Sequence, residues 1–352
     1  MLRIGIIGLG YWGPNLVRIL SELPECEVTA ICDSNVRRLK KFCDKFPEAM
    51  GTVDKSELLT RDHVDAVIIA TPTSTHYSLA NEALENGIHV FVEKPLASST
   101  AECRELIDLA ESQNLKLFVG HVFLYSAPVA KLKEMVINDE LGEIYYMSAS
   151  RLNLGPVRRD VNALWDLAPH DVSIMIDLMG ASPVAVSCSG LAYLDEMVHD
   201  VCTLTMQFEN NRMGIVHVSW LDPHKKREMT VVGSKKMAVY NDTEPREKIK
   251  VYDNGVNGPT FCETYGDFQF SYRYGDMYSP RLEEVEPLKA ECHSFVNCIL
   301  NNSRPKTDGQ NGLDVVRVIE SANNSLQNGN GRVDVCSSPI QVKAQVKQVV
   351  VA

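Results

Sequence analysis

Short apolar runs alternate with amphipathic, helix-like stretches over the first part of the chain. Five such runs are predicted to form strands, at residues 2–7, 28–32, 64–70, 88–92 and 115–120. Mainly apolar strands separated by helices are typical of a parallel sheet that is covered on both faces. The pattern therefore predicts an α/β domain with a doubly wound sheet over residues 1–122.

The pattern changes after residue 122, where short alternating segments follow one another. Strands are predicted at residues 144–152, 184–191, 201–208, 214–220, 228–232 and 237–240, with a hairpin turn at 233–236. Helices are predicted within residues 161–180, 287–300 and 308–325. These elements indicate an α+β domain over residues 123–352 with a large, mostly antiparallel open sheet. Residues 241–280 are polar, and their pattern assigns no element.

A glycine motif directly follows the first apolar run and precedes a helical pattern. It is a Gly-x-Gly-x-x-Gly sequence formed by Gly8, Gly10 and Gly13. Gly8 permits a tight turn, Gly10 leaves room for a pyrophosphate, and Gly13 lets the helix pack closely. The start of that helix offers free N–H groups and a positive dipole end to phosphates. The context predicts a Rossmann-type dinucleotide site.

An acidic residue ends the second apolar run, about 20 residues after Gly13. Asp33 can accept hydrogen bonds from the adenosine ribose, whereas its charge would repel a 2′-phosphate. The pattern therefore predicts NAD rather than NADP as the cofactor, although Arg37 and Arg38 weaken that preference. Further cofactor contacts are predicted for Tyr11, Trp12 and Ser34.

Five polar or turn-forming residues follow the ends of later strands. Ligands of parallel sheets bind beyond the carboxyl ends of the strands. We therefore expect these residues to face the cofactor crevice: Thr71, Pro72, His76, Glu93 and Lys94. Lys94 precedes a proline, which favours an extended backbone. Its ammonium group could stabilise a substrate oxygen beside the nicotinamide, although the spacing alone favours a surface lysine in a loop.

A second candidate for chemistry lies in the segment that contains Asp166 and His170. These two residues share a face if the segment is helical, and histidine is the usual general base near neutral pH. Asp166 would then orient the imidazole ring. Pro169 suits a first helical turn, so the helix is predicted to begin near His170. A capping aspartate beside a core histidine is the alternative interpretation.

Composition narrows the class of protein. The net charge of −11 and the lack of a basic run argue against a nucleic-acid partner. No apolar run approaches about 18 residues and no signal peptide is visible, so we predict no membrane association and a cytoplasmic location.

The 10 cysteines are scattered and are interpreted as reduced thiols. Residues 253–264 resemble a calcium loop only superficially, and no metal is predicted.

Taken together, these motifs resemble the Gfo/Idh/MocA oxidoreductase family. The resemblance rests on the glycine motif, Asp33, Ala70-Thr71-Pro72, Glu93-Lys94-Pro95 and the Asp166/His170 pair, which occur in order along nearly the whole chain. It implies a Rossmann domain followed by an open-sheet domain that commonly packs against another subunit. A homodimer or homotetramer is therefore expected. It also implies that Lys94, Asp166 and His170 are the catalytic residues.

Residues 10–16, 164–171 and 233–240 are similar to those of family members that act on nucleotide sugars. That similarity implies NAD-dependent oxidation of the C3 hydroxyl of a UDP-N-acetylated hexose or its uronate. The 3-keto product would feed an aminotransferase that uses pyridoxal phosphate. Additional substrate contacts are proposed for Arg151, Asn153, Arg158 and Trp165. The alternatives are a dehydrogenase for a free polyol such as inositol and a dinucleotide-binding regulator without catalysis.

Overall fold

The computed structural model describes residues 1–257 and 271–335. Its strands are β1 (Leu2–Ile7), β2 (Cys26–Cys32), β3 (Met50–Thr52), β4 (Ala66–Ile69), β5 (His89–Glu93), β6 (Leu117–Gly120), β7 (Ile144–Leu152), β8 (Ala185–Leu191), β9 (Val201–Phe208), β10 (Arg212–Ser219), β11 (Lys226–Gly233), β12 (Met237–Asn241), β13 (Ile249–Asn257), β14 (Ser271–Tyr278) and β15 (Val333–Asp334). Its α-helices are α1 (Gly13–Ser21), α2 (Val36–Cys43), α3 (Lys55–Leu58), α4 (His76–Glu85), α5 (Thr100–Ser112), α6 (Ala127–Ile137), α7 (Ala163–Met179), α8 (Pro287–Leu300) and α9 (Gly309–Gln327).

The first six strands form a parallel sheet in the order β3-β2-β1-β4-β5-β6. The strand order reverses between β1 and β4, and such a switch point opens a crevice outside the carboxyl ends of the strands. Every residue of β4 is buried, as expected for a central strand covered by helices on both faces. The predicted Rossmann sheet is confirmed, and its switch point positions the cofactor cleft.

Two helices from the end of the chain pack against this first sheet. Phe295 of α8 lies with its ring centroid 5.5 Å from those of both Phe91 and Phe118. Leu313 and Val316 of α9 join the apolar core on the sheet's other side. Parts of the chain far beyond residue 122 therefore complete the core of the Rossmann unit. The proposed division into residues 1–122 and 123–352 stays a prediction.

The second sheet contains nine strands among the described residues, in the order β14-β13-β12-β11-β7-β10-β9-β8-β15. Strand β7 pairs in parallel with β10 and antiparallel with β11, and the other pairs are antiparallel. Met147 and Ala149 of β7 are buried in one core with residues of α7. Tyr145 and Tyr146 are exposed. The predicted open, mostly antiparallel sheet is confirmed, whereas the oligomeric state stays a prediction.

Two expectations about local structure require correction. Helix α7 begins at Ala163 rather than near His170, because Asn162 caps it by accepting a hydrogen bond from the backbone of Trp165 at 3.1 Å. Pro169 therefore lies inside the helix. Residues 241–280, left unassigned, contain the end of β12 together with β13 and β14. Strand β14 is mostly exposed at the sheet edge, so its sequence lacks an apolar face.

Within the described parts of the chain, no helix is long and apolar enough to cross a membrane. The eight cysteines in those parts are all free thiols. The cytoplasmic location stays a prediction. Of the residues compared with a calcium loop, 258–264 lie outside the described residues.

Candidate active site

A cleft of about 920 Å³ lies at the carboxyl ends of β1, β2 and β4. Eight of the predicted cofactor residues line it: Gly8, Gly10, Tyr11, Trp12, Asp33, Ser34, Thr71 and Pro72. The cleft has the size of a small-molecule site and sits at the switch point of the sheet. These residues come from three separate strand ends, and the parallel topology brings them together.

The three glycines of the motif have different steric surroundings. Gly8 has a φ of 99°, and a Cβ there would lie 2.6 Å from the backbone oxygen of Ala70. A Cβ on Gly13 would lie 2.1 Å from the backbone oxygen of Gly8. Gly10 instead has nothing within 4 Å of a Cβ position, so its open side faces space that a pyrophosphate could occupy. The cradle therefore fits a dinucleotide.

This difference predicts opposite behaviour for two alanine substitutions. Gly10→Ala should leave the melting temperature unchanged, because no protein atom is in the way. It should weaken NAD binding by about 10- to 100-fold, the usual cost of overfilling a tight contact. Gly13→Ala should lower the melting temperature itself. Thermal unfolding and NAD titration of both variants test this, and equal NAD affinity for Gly10→Ala and the parent would contradict it.

Asp33 is buried between the glycine turn and the residues that follow it. Its Oδ2 accepts a hydrogen bond from the backbone N–H of Leu9 at 2.6 Å, and its Oδ1 accepts one from Asn35 at 2.7 Å. The carboxylate thus links the glycine turn to the end of β2 through these hydrogen bonds. Each carboxylate oxygen has a second acceptor site, so Asp33 retains the capacity to bind ribose hydroxyls. Arg38 also lines the cleft, as the sequence suggested.

Four of the expected cofactor residues do not line this cleft: Gly13, His76, Glu93 and Lys94. The buried ring of His76 has its Nδ1 2.7 Å from the backbone oxygen of Pro95 and its Nε2 2.9 Å from that of Thr71. It therefore ties together the loops that follow β4 and β5. Glu93 is enclosed, and burial raises its pKa to about 7, with neighbouring Lys94 opposing the shift. The strand ends were identified correctly, but the side chains of His76 and Glu93 do not reach the cleft lining.

A smaller cavity of about 310 Å³ adjoins the cofactor cleft. Tyr11 and Trp12 line both spaces, so the two meet at the glycine turn. The polar groups of the cavity come from the Rossmann sheet, α7 and the second sheet: Lys94, Asn153, Arg151, Asp166, His170, Trp220 and Arg227. The fold therefore gathers Lys94, Asp166 and His170 beside the cofactor site.

Lys94 reaches from the end of β5 to helix α7. Its Nζ donates a hydrogen bond to the backbone oxygen of Asp166 at 2.8 Å and lies 4.0 Å from a carboxylate oxygen of the same residue. The peptide bond between Lys94 and Pro95 is cis. Burial lowers the pKa of the Lys94 ammonium group, while Asp166 and Glu93 oppose that shift. A buried ammonium group so positioned can donate to a substrate oxygen.

Asp166 and His170 lie one turn apart in α7, yet they are not hydrogen-bonded to each other. One carboxylate oxygen of Asp166 accepts from Arg158 at 3.1 Å, and the other accepts from Nε1 of Trp220 at 3.1 Å. The buried Nδ1 of His170 has no hydrogen-bond partner. The expectation that Asp166 orients the His170 ring is therefore corrected. Its carboxylate is instead held beside Lys94.

The surroundings of His170 favour its neutral form. Burial lowers its pKa well below the usual 6.5, and the positive charges of Lys94 and Arg151 lower it further. The ring packs edge-on against Phe123, with centroids 4.9 Å apart. Packing thus supplies the orientation that the sequence assigned to Asp166. A neutral imidazole at this position can accept a proton.

The four proposed substrate residues differ in where they lie and in what they bond to. Arg151 is buried and makes two hydrogen bonds to Asp171, at 2.7 and 3.1 Å. Arg158 lines the cofactor cleft, where it bonds to Asp160 as well as Asp166. Asn153 lines the small cavity as expected. Trp165 does not line the small cavity. Its side chain packs against two apolar cores and lines a different cavity.

The sequence reasoning missed the aromatic and charged cavity residues Phe123, Trp220 and Arg227, together with three apolar lining residues, Val122, Pro156 and Leu167. Trp220 directly follows β10, and a strand-end rule applied to the second sheet would have found it. Arg227 lies inside β11 and is opposite Arg151 on β7. Its place depends on the order of strands, which local patterning does not reveal. The described residues contain no group of three or more side chains suited to a metal ion.

This arrangement defines an NAD-binding oxidoreductase, with a Rossmann cradle beside a cavity that holds a lysine and a histidine. The description "Oxidoreductase family, NAD-binding Rossmann fold" matches residues 2–121, and "GFO/IDH/MocA C-terminal domain" matches residues 129–239. The chain belongs to the Gfo/Idh/MocA oxidoreductase family, and its cofactor is NAD.

Two curated relatives illustrate the range of substrates in the family. The chain is 29% identical over 236 residues to UDP-N-acetylglucosamine 3-dehydrogenase of Acidithiobacillus ferrooxidans, covering 65% of this chain and 71% of that protein. It is 24% identical over 337 residues to myo-inositol 2-dehydrogenase of Thermotoga maritima, covering 93% and 96%. A solved structure of the Acidithiobacillus enzyme matches with a TM-score of 0.77 and 24% identity, covering 94% of this chain and 99% of that chain. These relatives are sugar and polyol dehydrogenases.

Proposed function

We propose that the protein oxidises the C3 hydroxyl of a UDP-N-acetylated hexose, of the UDP-N-acetylglucosamine type, with NAD as oxidant. The observation that carries the proposal is the joint placement of Lys94 and a neutral His170 in a cavity that adjoins the cofactor cleft. Arg151, Arg227 and Trp220 also line this cavity, and their N–H groups and the indole face suit a polar sugar ring. The similarity to the Acidithiobacillus enzyme supports the choice of substrate.

In this mechanism, His170 accepts the proton of the C3 hydroxyl. Lys94 donates a hydrogen bond to the same oxygen and stabilises the negative charge that develops on it. NAD held in the cleft beyond the glycine turn would supply the acceptor for the hydride that leaves C3, and the C3–O bond would become a carbonyl. Asp166 holds Lys94 in place and balances its charge.

A dehydrogenase for a free polyol or sugar is the second candidate. The inositol dehydrogenase of Thermotoga maritima aligns along nearly the whole chain, which favours this candidate. A regulator that binds dinucleotide without chemistry would have no need for Lys94, Asp166 and His170 in one cavity.

The test is to supply the purified protein with NAD and a panel of UDP-N-acetylglucosamine, its uronate, inositol and free sugars. An aminotransferase with pyridoxal phosphate and glutamate is added, because we propose that such an enzyme consumes the 3-keto product in amino-sugar synthesis. NADH formation that depends on the UDP-sugar and is inhibited by UDP supports the proposal. NADH formation with inositol alone would establish the polyol dehydrogenase instead.

The pKa shifts also predict a pH profile. His170 must be neutral to accept a proton, and its lowered pKa keeps it neutral as the pH falls through about 6.5. We therefore expect kcat/KM to stay constant from about pH 8 to below about 6.5 and then to fall. It should also fall at high pH, as Lys94 loses its proton at a pKa below 10.5. A rise in kcat/KM over that alkaline range would show that Lys94 is the base.

A further inference from the structure

The small cavity carries two arginines that oppose each other across neighbouring strands. Arg151 of β7 and Arg227 of β11 are directly paired in an antiparallel ladder. Directly opposed residues place their side chains on the same face, about 5 Å apart at Cβ, and like charges there repel each other. Both side chains line the cavity that holds Lys94 and His170. Such a pair requires compensating negative charge.

Arg151 is fully compensated, whereas Arg227 has only a long ion pair with a shared acid. Asp171 accepts two hydrogen bonds from Arg151. The buried Nε of Arg227 has no hydrogen-bond partner, and its Nη1 approaches Asp242 only to 3.8 Å. Asp242 is shared, since it also accepts hydrogen bonds from Lys248 and Tyr240. Burial and the charge of Arg151 lower the pKa of Arg227, so this cation is under-compensated.

The remaining carboxylate in the cavity wall is already engaged. Both oxygens of Asp166 accept hydrogen bonds, from Arg158 and from Trp220. The cavity lining therefore combines Lys94, Arg151 and Arg227 with one acid, Asp166, while Asp171 compensates Arg151 from outside the lining. A surplus of positive charge with an unpartnered guanidinium N–H is a site for an anion, and a planar guanidinium group matches a carboxylate well.

We propose that Arg227 is a substrate-binding residue that takes the carboxylate of an acidic sugar. This inference rests on the proposed function and makes its substrate the uronate, oxidised at C3, rather than the neutral hexose. The cavity of about 310 Å³ is at the lower end of ligand sites and already contains the catalytic groups. The anion that reaches Arg227 is therefore one carried by the reacting ring, whereas the diphosphate lies outside.

The test compares Arg227→Gln with Lys226→Gln. Lys226 is the preceding residue on the same strand, so it points to the opposite face, where it pairs with Glu228. The measurement is kcat/KM for UDP-N-acetylglucosaminuronate and for UDP-N-acetylglucosamine. The parent and Lys226→Gln should prefer the uronate by about 10²-fold or more. Arg227→Gln should lose that preference by slowing with the uronate alone. NAD affinity and melting temperature report whether each variant is folded.

Other outcomes overturn the inference in distinguishable ways. Equal loss on both substrates would assign Arg227 to the shared diphosphate. Equal use of both substrates by the parent, with Arg227→Gln unchanged, would reject an acidic sugar while leaving the 3-dehydrogenase intact. If neither UDP-sugar is oxidised, the proposed function fails. In that case, calorimetry with glucuronate in the presence of NAD tests the carboxylate site by itself. Glucuronate binding by the parent that is lost in Arg227→Gln would support the carboxylate site. No glucuronate binding by the parent would reject it.

Discussion

Replacing His170 with asparagine is expected to lower kcat by about 10²- to 10⁴-fold, the usual contribution of a general acid or base. The half-buried imidazole lines the same cavity as Lys94 and is held neutral, so it is positioned to accept the hydroxyl proton. Asparagine keeps a polar side chain of similar shape but cannot serve as a base. Steady-state rates of NADH formation with saturating NAD and UDP-sugar provide the measurement.

His199→Asn is the matched control, because His199 lines a different cavity and should tolerate the change. Lys94→Met completes the set. Nearly unchanged turnover in His170→Asn, with activity lost in Lys94→Met, would transfer the role of base to Lys94. NAD affinity should stay near that of the parent in all three variants, because none of these residues lines the cofactor cleft.

Arg151→Met is expected to destabilise the protein by about 3–5 kcal/mol, the cost of leaving one charge of a buried pair uncompensated. The side chains of Arg151 and Asp171 are only 4% and 6% exposed, and two hydrogen bonds join them. The substitution would leave the buried Asp171 carboxylate, which lies between α7 and the second sheet, without its charged partner. Equilibrium unfolding in urea gives the difference in free energy of unfolding.

Lys235→Met is the comparison for this second prediction. Lys235 and Asp139 form an ion pair whose side chains are 58% and 67% exposed, and exposed pairs contribute little to stability. Removing both charges of the buried pair, in Arg151→Met with Asp171→Leu, should recover much of the lost stability. If Arg151→Met unfolds no more easily than Lys235→Met, then the guanidinium of Arg151 is available to substrate as the sequence first suggested.

The cofactor half of the site was predictable because its signals are local. A strand, three glycines at fixed spacing and an acid at the next strand end determine a turn whose geometry depends on few distant residues. Asp33 and Thr71 line the cleft for that reason. His76 shows the limit of the argument: a strand-end rule identifies the right loop, but it does not tell which side chains turn into the protein.

The substrate half depends on contacts between distant elements. Lys94, Asp166 and His170 were found because each belongs to a recognisable motif. The hydrogen bonds of Asp166, however, come from Arg158 and from Trp220, and Trp220 lies after a strand of the second sheet. Strand alternation predicts which face a residue occupies, but not which strand becomes its neighbour. The nearness of two arginines across β7 and β11 follows only from the strand order.

The start of α7 was misplaced for a related reason. Proline is common in a first turn, and this favoured a start near His170. The capping bond of Asn162 instead starts the helix earlier, and the helix tolerates Pro169 in its interior. The earlier start puts Asp166 inside the helix, where its backbone oxygen is the acceptor for Lys94. The longer helix thus contributes directly to the geometry of the catalytic cavity.

The most direct test of the account is to follow the hydrogen on C3. The protein is incubated with NAD and a UDP-N-acetylated sugar, neutral or uronate, that carries deuterium only at C3, and the reduced cofactor is examined by mass spectrometry. The account predicts NADH that contains one deuterium, together with a slower rate than with the unlabelled sugar. NADH formed without deuterium would show that the hydride comes from another carbon and would contradict the assignment of the protein as a 3-dehydrogenase.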